Sequence, residues 1–374
     1  MASVRKLFIL VTFGAFSWLL LLFQLFGFFN FPLKLHHADG LAIGEHRWSS
    51  SVWSILHLAS AVISGILAKR HYNYLFGGLM LTDAMNNYFK YVIGLLTIFV
   101  TVADSWFEVE THRSIWLRYR ALATRNGTIL GLIGRDELAR VLLRYFFAIL
   151  TIVAVCALVE FTIYNQLTPG TQWHWFWLHN FYPYTFSHVR HVFHLLHISL
   201  MASNLRQLQR KLVALHQTGE RERLEEYRAL YGELWQINEG INELFGFSQA
   251  CNIASSFAQM AFDLYWVYAM WQKQQRGVEL QIFCFVPTPV IIGFLMHAAK
   301  KHQLEMDAVQ GTVLDMNFGL DAEMVKLRFY FLHQLLRNRI KLTAKDIFDY
   351  DYTLIRTLVI VILTYVIIFI EIAD

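Results

Sequence analysis

Long apolar runs separated by charged connections dominate the pattern of this chain. A transmembrane helix needs about 20 mostly apolar residues, and seven runs have about that length: 48–67, 85–106, 143–165, 178–203, 248–271, 280–298 and 354–372. The pattern therefore predicts an all-α polytopic membrane protein with seven transmembrane helices. An eighth run, 7–29, is followed by the breaker residues Asn30 and Pro32, and we predict an N-terminal interfacial or re-entrant helix there.

Lysine and arginine are distributed unequally between the predicted connections. They concentrate in 107–142, 204–247 and 299–353, whereas residues 166–177 contain neither. Because short basic loops tend to stay in the cytoplasm, we predict that the N-terminus lies inside the cell and the C-terminus outside.

Composition agrees with a membrane protein and limits the alternatives. Hydrophobic residues make up 56% of the chain and charged residues 16%, against roughly 25% charged residues in soluble domains. The net charge of +4 gives no reason to expect a nucleic-acid partner. A disulfide framework is not expected either, because all three cysteines fall within predicted spans: Cys156, Cys251 and Cys284.

Motifs in the C-terminal third resemble those of a known family. In the last predicted helix, Thr364-Tyr365 precedes five hydrophobic residues and then Glu371-Ile372. Five residues of the approach to that helix have matching places: Ala344, Phe348, Asp351, Leu354 and Ile355. Another block, before the fifth span, supplies Asn242, Phe245 and Gly246. Together these blocks resemble the insect gustatory receptor family, seven-span chemosensory proteins related to insect odorant receptors. Glu371 and Ile372 stand where that family usually has Gln and Phe.

The resemblance implies a ligand-gated nonselective cation channel, a tetramer whose last helices line one central pore. Its ligands would be small-molecule tastants, with bitter compounds favoured. Its partners would be the lipid bilayer and, in a homo- or hetero-tetramer, other gustatory receptors. The implied location is the plasma membrane of a chemosensory neuron.

On this interpretation the chain divides into six parts. They are an N-terminal cytoplasmic or interfacial segment (1–47), a ligand-binding bundle of helices 1–4 (48–203), a cytoplasmic helical anchor (204–247), helices 5 and 6 (248–298), a second cytoplasmic segment leading to the pore (299–353) and the pore helix (354–374).

The last predicted helix carries a polar stripe. Five residues share one of its faces: Thr357, Val361, Thr364, Ile368 and Glu371. Lipid cannot satisfy polar groups, so this face meets either water or a packed neighbouring helix. Acids within spans are typical of ion paths, and a ring of Glu371 carboxylates would select cations. In such a pore, Ile368 and Ile372 would act as hydrophobic constrictions. The alternative for Glu371 is plain solvation at a helix end.

Aromatic and polar side chains recur in the predicted outer halves of the spans. The candidate ligand-binding residues are Lys90, Tyr91, Glu160, Tyr164, Tyr182, Asp263, Tyr265, Trp266 and Phe285. Aromatic walls with a few polar groups are typical of small-molecule pockets, although Tyr and Trp also form interfacial belts. Unpaired charges are costly in a bilayer, so Lys90 could pair with Glu160 or Asp263; ligand contact is the alternative.

Four histidines recur at steps of three: His188, His191, His194 and His197. Each step falls about 60° short of a full helical turn, so the four cannot form one metal site. We predict no metal and no cofactor. We expect these histidines along a wet vestibule, where they could make gating sensitive to pH.

Two other classes of function compete with a channel. A haem-binding membrane oxidoreductase could use the fourteen-residue gap between His57 and His71 or between His174 and His188, but His71 and His174 fall in predicted loops. A secondary transporter usually has two repeated halves, and no such repeat is visible. We therefore predict that the protein is not an enzyme, and a ligand-evoked inward current would separate a channel from both alternatives.

Overall fold

The structure, a computed structural model, describes most of the chain. The described residues are 14, 16–36, 40–45, 51–70, 81–167, 173–218, 221–272, 274, 278–319, 321–345 and 347–373. The predicted sites that fall on side chains outside this description are Glu160, Tyr164 and Ile372.

The N-terminal segment enters the protein as a short helix. Helix α1 (Phe16–Leu25) is followed by a hairpin of two antiparallel strands, β1 (Leu33–His36) and β2 (Gly40–Ile43). Ten residues of helix rise about 15 Å, which is half of a bilayer's hydrocarbon core. Phe23 is fully buried, with its ring 4.5 Å from that of Phe193. The segment therefore packs into the core of the protein.

Long helices form the rest of the fold. They are α2 (Val52–Arg70), α3 (Leu81–Phe107), α4 (Val109–Asn126), α5 (Arg135–Leu167), α6 (Trp173–Thr218), α7 (Arg221–Gln272), α8 (Val278–Phe285), α9 (Pro287–Asp315), α10 (Ala322–Arg337) and α11 (Tyr352–Ala373). Helices α6 and α7 contain 46 and 52 residues, or about 69 and 78 Å of rise. Both are much longer than a bilayer is thick, so each continues beyond the membrane.

The sixth predicted span is divided in two. Helix α8 ends at Phe285 and helix α9 begins at Pro287, close to the middle of the apolar run 280–298. Proline has no backbone N–H, and its ring clashes with the carbonyl group four residues earlier. The interruption follows from this chemistry, and it was not predicted.

Helix α6 lies at the centre of the molecule. It packs against α9, α5, α7 and α3, and its residues from Tyr184 to Leu205 are almost all buried. Four apolar helices satisfy the length and hydropathy expected of a span within the described ranges: Val52–Arg70, Tyr88–Phe107, Arg135–Val159 and Tyr352–Glu371. These apolar helices are less buried than α6, which is more polar.

Candidate pore helix and ligand pocket

One face of α11 packs on α7, and the predicted pore face is left open. The Tyr365 ring lies 5.5 Å from Phe262, and the Phe369 ring lies 5.2 Å from Tyr265. All five residues of the predicted stripe are exposed in the subunit: Thr357, Val361, Thr364, Ile368 and Glu371. Their side chains share the face that points away from α7.

The two threonine hydroxyl groups in the stripe donate hydrogen bonds within the helix. Thr357 Oγ1 donates to the carbonyl of Thr353 at 3.1 Å, and Thr364 Oγ1 donates to the carbonyl of Ile360 at 2.9 Å. A hydroxyl has one donor and two acceptor positions. Each oxygen therefore keeps acceptor lone pairs, and the stripe presents acceptors of partial negative charge.

A carboxylate caps the beginning of α11. Asp351 accepts hydrogen bonds from the backbone N–H groups of Thr353 (2.9 Å) and Leu354 (3.3 Å), and also from the Thr353 hydroxyl. The hydrogen bond from the Thr353 side chain is the main reason why the pKa of Asp351 lies below its ordinary value. Such N-caps satisfy the free N–H groups of the first turn, so the start of α11 is well defined.

A tight linker, residues 341–351, joins α10 to α11. The backbone N–H of Ala344 donates to the carbonyl of Phe348 at 3.0 Å, and Thr343 pairs with Asp349 in an antiparallel bridge. Lys345 has a φ of 48°, in the left-handed region that tight turns use. Ala344 is fully buried, so this place in the turn has little room for a larger side chain.

The predicted family motif on α7 holds this linker. The side-chain amide of Asn242 donates to the carbonyl of Lys341 at 2.9 Å and accepts from the N–H of Thr343 at 3.1 Å. Asn238 donates to the same Lys341 carbonyl at 2.7 Å. A Cβ atom at Gly246 would lie 2.7 Å from the Lys345 side chain, so glycine permits this close approach. These contacts give Asn242 and Gly246 a concrete structural role.

The linker also contacts two other helices. The Tyr350 ring packs edge-on against the imidazole of His194 on α6, with centroids 5.1 Å apart, and burial raises the pKa of its hydroxyl. Lys345 Nζ lies 3.4 Å from a carboxylate oxygen of Glu108, between α3 and α4. A shift of α3, α6 or α7 would therefore displace the linker that leads into the start of α11.

Lys90 pairs with Asp263 between α3 and α7. The ammonium and carboxylate groups are 2.9 Å apart, with side chains 12% and 1% exposed. Gln259 adds a donor to the same carboxylate at 3.3 Å. Of the two carboxylates considered for Lys90, the structure pairs it with Asp263. Breaking so buried a pair would leave an uncompensated charge.

A small cavity adjoins this ion pair. Its volume is about 30 Å³, and it is lined by Lys90, Tyr91, Gly94, Pro183, Tyr184, Ser187, His188, Ser255, Ser256, Gln259 and Thr288. This volume holds about one or two waters, whereas small-molecule pockets span roughly 300–1,000 Å³. The cavity is therefore too small for such a ligand in this conformation. Sequence reasoning missed its hydroxyl groups, although Ser255, Gln259 and Asp263 are spaced like one face of a helix.

The structure does not bring the predicted ligand-binding set together. Lys90 and Tyr91 line the cavity and Asp263 supports it, but Tyr182 bonds His57 Nδ1 at 2.7 Å. Tyr265 packs on α11 through Phe369, and Trp266 lies beside Tyr265. Phe285 is partly buried against the main core. These four aromatic residues have other neighbours because each points in a different direction from its helix.

The four histidines in the middle of α6 lie in the core, so the prediction of a wet vestibule is wrong. All four are at most 1% exposed: His188, His191, His194 and His197. His191 bonds Ser256 at 2.9 Å and Gln249 at 2.6 Å, while His188 bonds the carbonyl of Tyr184 at 2.8 Å. The sequence shows that these residues are polar, but it does not show which helices surround them in α6.

The centre of the bundle holds an arginine that the sequence did not single out. Arg190 is fully buried and donates to the hydroxyl of Ser248 at 2.7 Å, to the carbonyl of Leu244 at 3.3 Å and to the hydroxyl of Ser105 at 3.3 Å. The rings of Phe28, Phe193 and Phe245 lie 4.6–5.7 Å from the guanidinium carbon, a distance typical of cation–π contacts. Arg190 thus links α3, α6 and α7.

The comparisons with known proteins identify a family from the sequence and a similar fold from the structure. The sequence model described as "7tm Chemosensory receptor" matches residues 16–373. The fold is similar to that of the insect olfactory receptor OR5 from Machilis hrabei, with a TM-score of 0.66, 11% identity and coverage of 93% of this chain and 96% of that chain. It is also similar to OR5 in complex with eugenol, with a TM-score of 0.64, 11% identity and coverage of 97% and 99%. No curated protein matches the sequence. The predicted helical seven-span fold class is confirmed.

Proposed function

Since the chain belongs to the 7tm chemosensory receptor family, we propose that it is a gustatory receptor that works as a ligand-gated nonselective cation channel. Small-molecule tastants would open it, in the plasma membrane of a chemosensory neuron. Four subunits would assemble so that the α11 helices surround a central pore.

The exposed stripe on α11 carries this proposal. Only 6% of the most apolar window of this helix is buried within the subunit, yet Thr357, Thr364 and Glu371 lie on its open side. Lipid would leave the Glu371 carboxylate and the remaining acceptor positions of the threonine hydroxyls unsatisfied, whereas a water-filled axis between four subunits would solvate them. Hydroxyl oxygens and a terminal carboxylate suit cations.

Exposed apolar residues on the predicted cytoplasmic part support an assembly. On α9 and α10, Leu314 is 47% exposed, Phe329 66% and Leu336 70%. The prediction puts the segment 299–353 outside the bilayer, so lipid would not cover these side chains. Exposed apolar patches away from a membrane typically mark protein contacts, and a neighbouring subunit is the expected partner.

The contacts of α7 support a route from ligand to pore. The same helix carries Asp263 beside the small cavity and Asn242 at the linker before α11. Because that cavity is too small for a ligand, a tastant would have to separate α3, α6 and α7 to enter. That movement would act on the linker through Asn242, and the linker begins the pore helix. The related OR5 structure with eugenol motivates a small-molecule ligand for this chain.

The haem alternative receives no support from His57. Its Nδ1 bonds the Tyr182 hydroxyl at 2.7 Å, and its Nε2 bonds the carbonyl of Leu25 at 2.7 Å. Both ring nitrogens are therefore occupied, whereas an axial haem ligand needs one of them for the iron.

Thiol accessibility along α11 tests the proposal. Single cysteines would replace Thr357, Thr364 and Glu371, and a charged methanethiosulfonate reagent would be applied with and without agonist. We expect agonist-dependent modification that changes the current, because the stripe would meet water in the open pore. Ile362→Cys is the buried control on the opposite face. Inert stripe cysteines in the presence of agonist, or a monomeric purified receptor, would contradict the channel.

A further inference from the structure

A second and much larger cavity lies between α5, α6 and α9. Its volume is about 880 Å³, within the range of ligand sites. It follows α5 from Glu137 to Cys156, a rise of about 28 Å, of which the part beyond Arg144 makes up about 18 Å. That length is close to one leaflet of a bilayer's hydrocarbon core, roughly 15 Å.

Away from Arg144, the walls of this cavity are apolar and are exposed on the outside of the helix bundle. Phe147 and Val155 on α5 are 59% and 39% exposed, and Val290 and Phe294 on α9 are 49% and 61% exposed. Helix α5 contains a span of high mean hydropathy, Arg135–Val159. Exposed apolar side chains on such a helix face lipid, so the mouth of the cavity opens towards hydrocarbon.

The opposite end of the cavity is cationic. Arg140, Arg144, Arg206 and Lys301 line it together with one carboxylate, Glu137. Arg206 lies between two carboxylates: its guanidinium is 3.5 Å from Glu137 and also bonds Glu305.

Three of these cations are left without a paired acid. Within the ranges that the structure describes, no carboxylate lies at ion-pair distance from Arg140, Arg144 or Lys301. Nε of Arg140 donates to the backbone carbonyl of Asp136 at 3.3 Å, which leaves its charge uncompensated. The predicted orientation puts this end at the cytoplasmic surface, where anionic lipids concentrate.

We propose that this cavity binds an anionic phospholipid of the cytoplasmic leaflet. Its phosphate group lies among Arg140, Arg144 and Lys301, and one acyl chain extends past Phe147 towards Val155. The cavity is amphipathic along its length, and its part beyond Arg144 is about one leaflet deep, which matches a lipid better than a small soluble anion. His188 lines both this cavity and the small cavity beside Lys90, so the lipid would touch the wall of the candidate ligand pocket.

Native mass spectrometry of the full-length, delipidated receptor in detergent tests the headgroup site. Dioleoyl phosphatidylglycerol or dioleoyl phosphatidylcholine would be titrated against wild type and a triple variant, Arg140→Gln with Arg144→Gln and Lys301→Gln. Each basic residue near an anionic lipid contributes about 1 kcal/mol, so we expect phosphatidylglycerol to bind the triple variant on the order of a hundredfold more weakly. The matched control, Arg120→Gln with Arg125→Gln and Lys326→Gln, changes three exposed cations elsewhere and should bind like wild type.

A second variant tests the acyl-chain wall without changing any charge. Ala148 lines the cavity, and Ala148→Phe fills part of it, so we expect this variant to retain fewer lipids. Because it does not depend on the triple variant, it tests the proposal even if that variant fails to fold. Equal affinity of wild type for the two lipids would overturn the proposal, as would equal behaviour of the triple variant and its control. Displacement of phosphatidylglycerol by inorganic phosphate alone would also overturn it, because the site would then bind a free anion.

Discussion

Helices α6 and α11 both correspond to predicted spans, yet they differ in polarity and in burial. The middle of helix α6 carries four histidines and Arg190, and it is almost wholly buried. Helix α11 consists mainly of Val, Ile, Leu and Phe, and only 6% of its most apolar window is buried in the subunit. In this protein the polar helix forms the core and the apolar helix lies outside.

The difference follows from what surrounds each helix. Lipid cannot hydrogen-bond to a side chain, so a polar span must find its partners among other helices. Arg190 finds hydroxyls, a carbonyl and three aromatic rings, and His191 finds Ser256 and Gln249. An apolar helix needs no such partners, so it can face lipid or a neighbouring subunit.

The largest expected effect comes from removing the charge at the centre of α6. Arg190→Ala withdraws donors from Ser248, Ser105 and the Leu244 carbonyl and leaves a cavity. Breaking a buried charged network typically costs about 3–5 kcal/mol. We expect a large fall in the apparent melting temperature, or no folded protein, in fluorescence-detected size-exclusion chromatography.

A matched arginine on the other helix serves as the control. Arg356 is exposed at the beginning of α11, and Arg356→Ala should change stability by less than about 0.5 kcal/mol. Arg190→Lys keeps a charge at the centre and should fall between the two. Equal melting temperatures for the alanine variants would contradict the view that α6 is the core helix.

A smaller effect is expected where the two regions are joined. Asn242→Ala removes one bond to the Lys341 carbonyl and one from the Thr343 N–H, while Asn238 keeps its own bond to Lys341. The loss should cost about 1–2 kcal/mol. We expect hydrogen exchange in the linker 341–351 to become faster than in wild type, and by more than in the rest of the protein.

The control for this variant is its neighbour on α7. Glu243 is exposed, so Glu243→Ala should leave exchange in the linker unchanged. Equal exchange rates in the linker of the wild-type and Asn242→Ala proteins would mean that other contacts hold the linker. The proposed route from α7 to α11 would then lose the contact that connects the two helices.

The helical elements were predictable to the extent that apolar periodicity reveals them. The runs 48–67 and 354–372 correspond closely to α2 and α11, because these helices show hydrocarbon-like faces to their surroundings. The break before Pro287 and the β1–β2 hairpin were missed. The sequence shows the family motif on α7 as one block, but its spacing could not reveal that Asn242 bonds across about 100 residues to Lys341.

The candidate ligand site was less predictable than the fold. Depth in a span says which side chains lie at the same level, but not which ones face each other. Lys90 and Asp263 meet because α3 and α7 pack together, whereas Tyr265 at the same level turns towards α11. Arg190 was not singled out, because its partners are hydroxyls, a backbone carbonyl and aromatic rings, which no sequence pattern distinguishes from ordinary core residues.

The smallest effect on stability, and the sharpest on function, is expected at the outer end of α11. Glu371 is exposed, so Glu371→Gln should leave the melting temperature unchanged. If four copies ring the pore mouth, removing each charge weakens the attraction for a divalent ion twice as much as for a monovalent one. Near 4 Å in a water-like medium each lost charge lowers the calcium-to-sodium permeability ratio roughly fivefold, so the loss of all four lowers it by at least that factor, measurable as a shift in reversal potential. Glu279→Gln alters another exposed glutamate, at the start of α8, and should shift nothing. An unchanged ratio for Glu371→Gln would remove the carboxylate from selectivity and leave the threonine oxygens as the polar groups of the stripe.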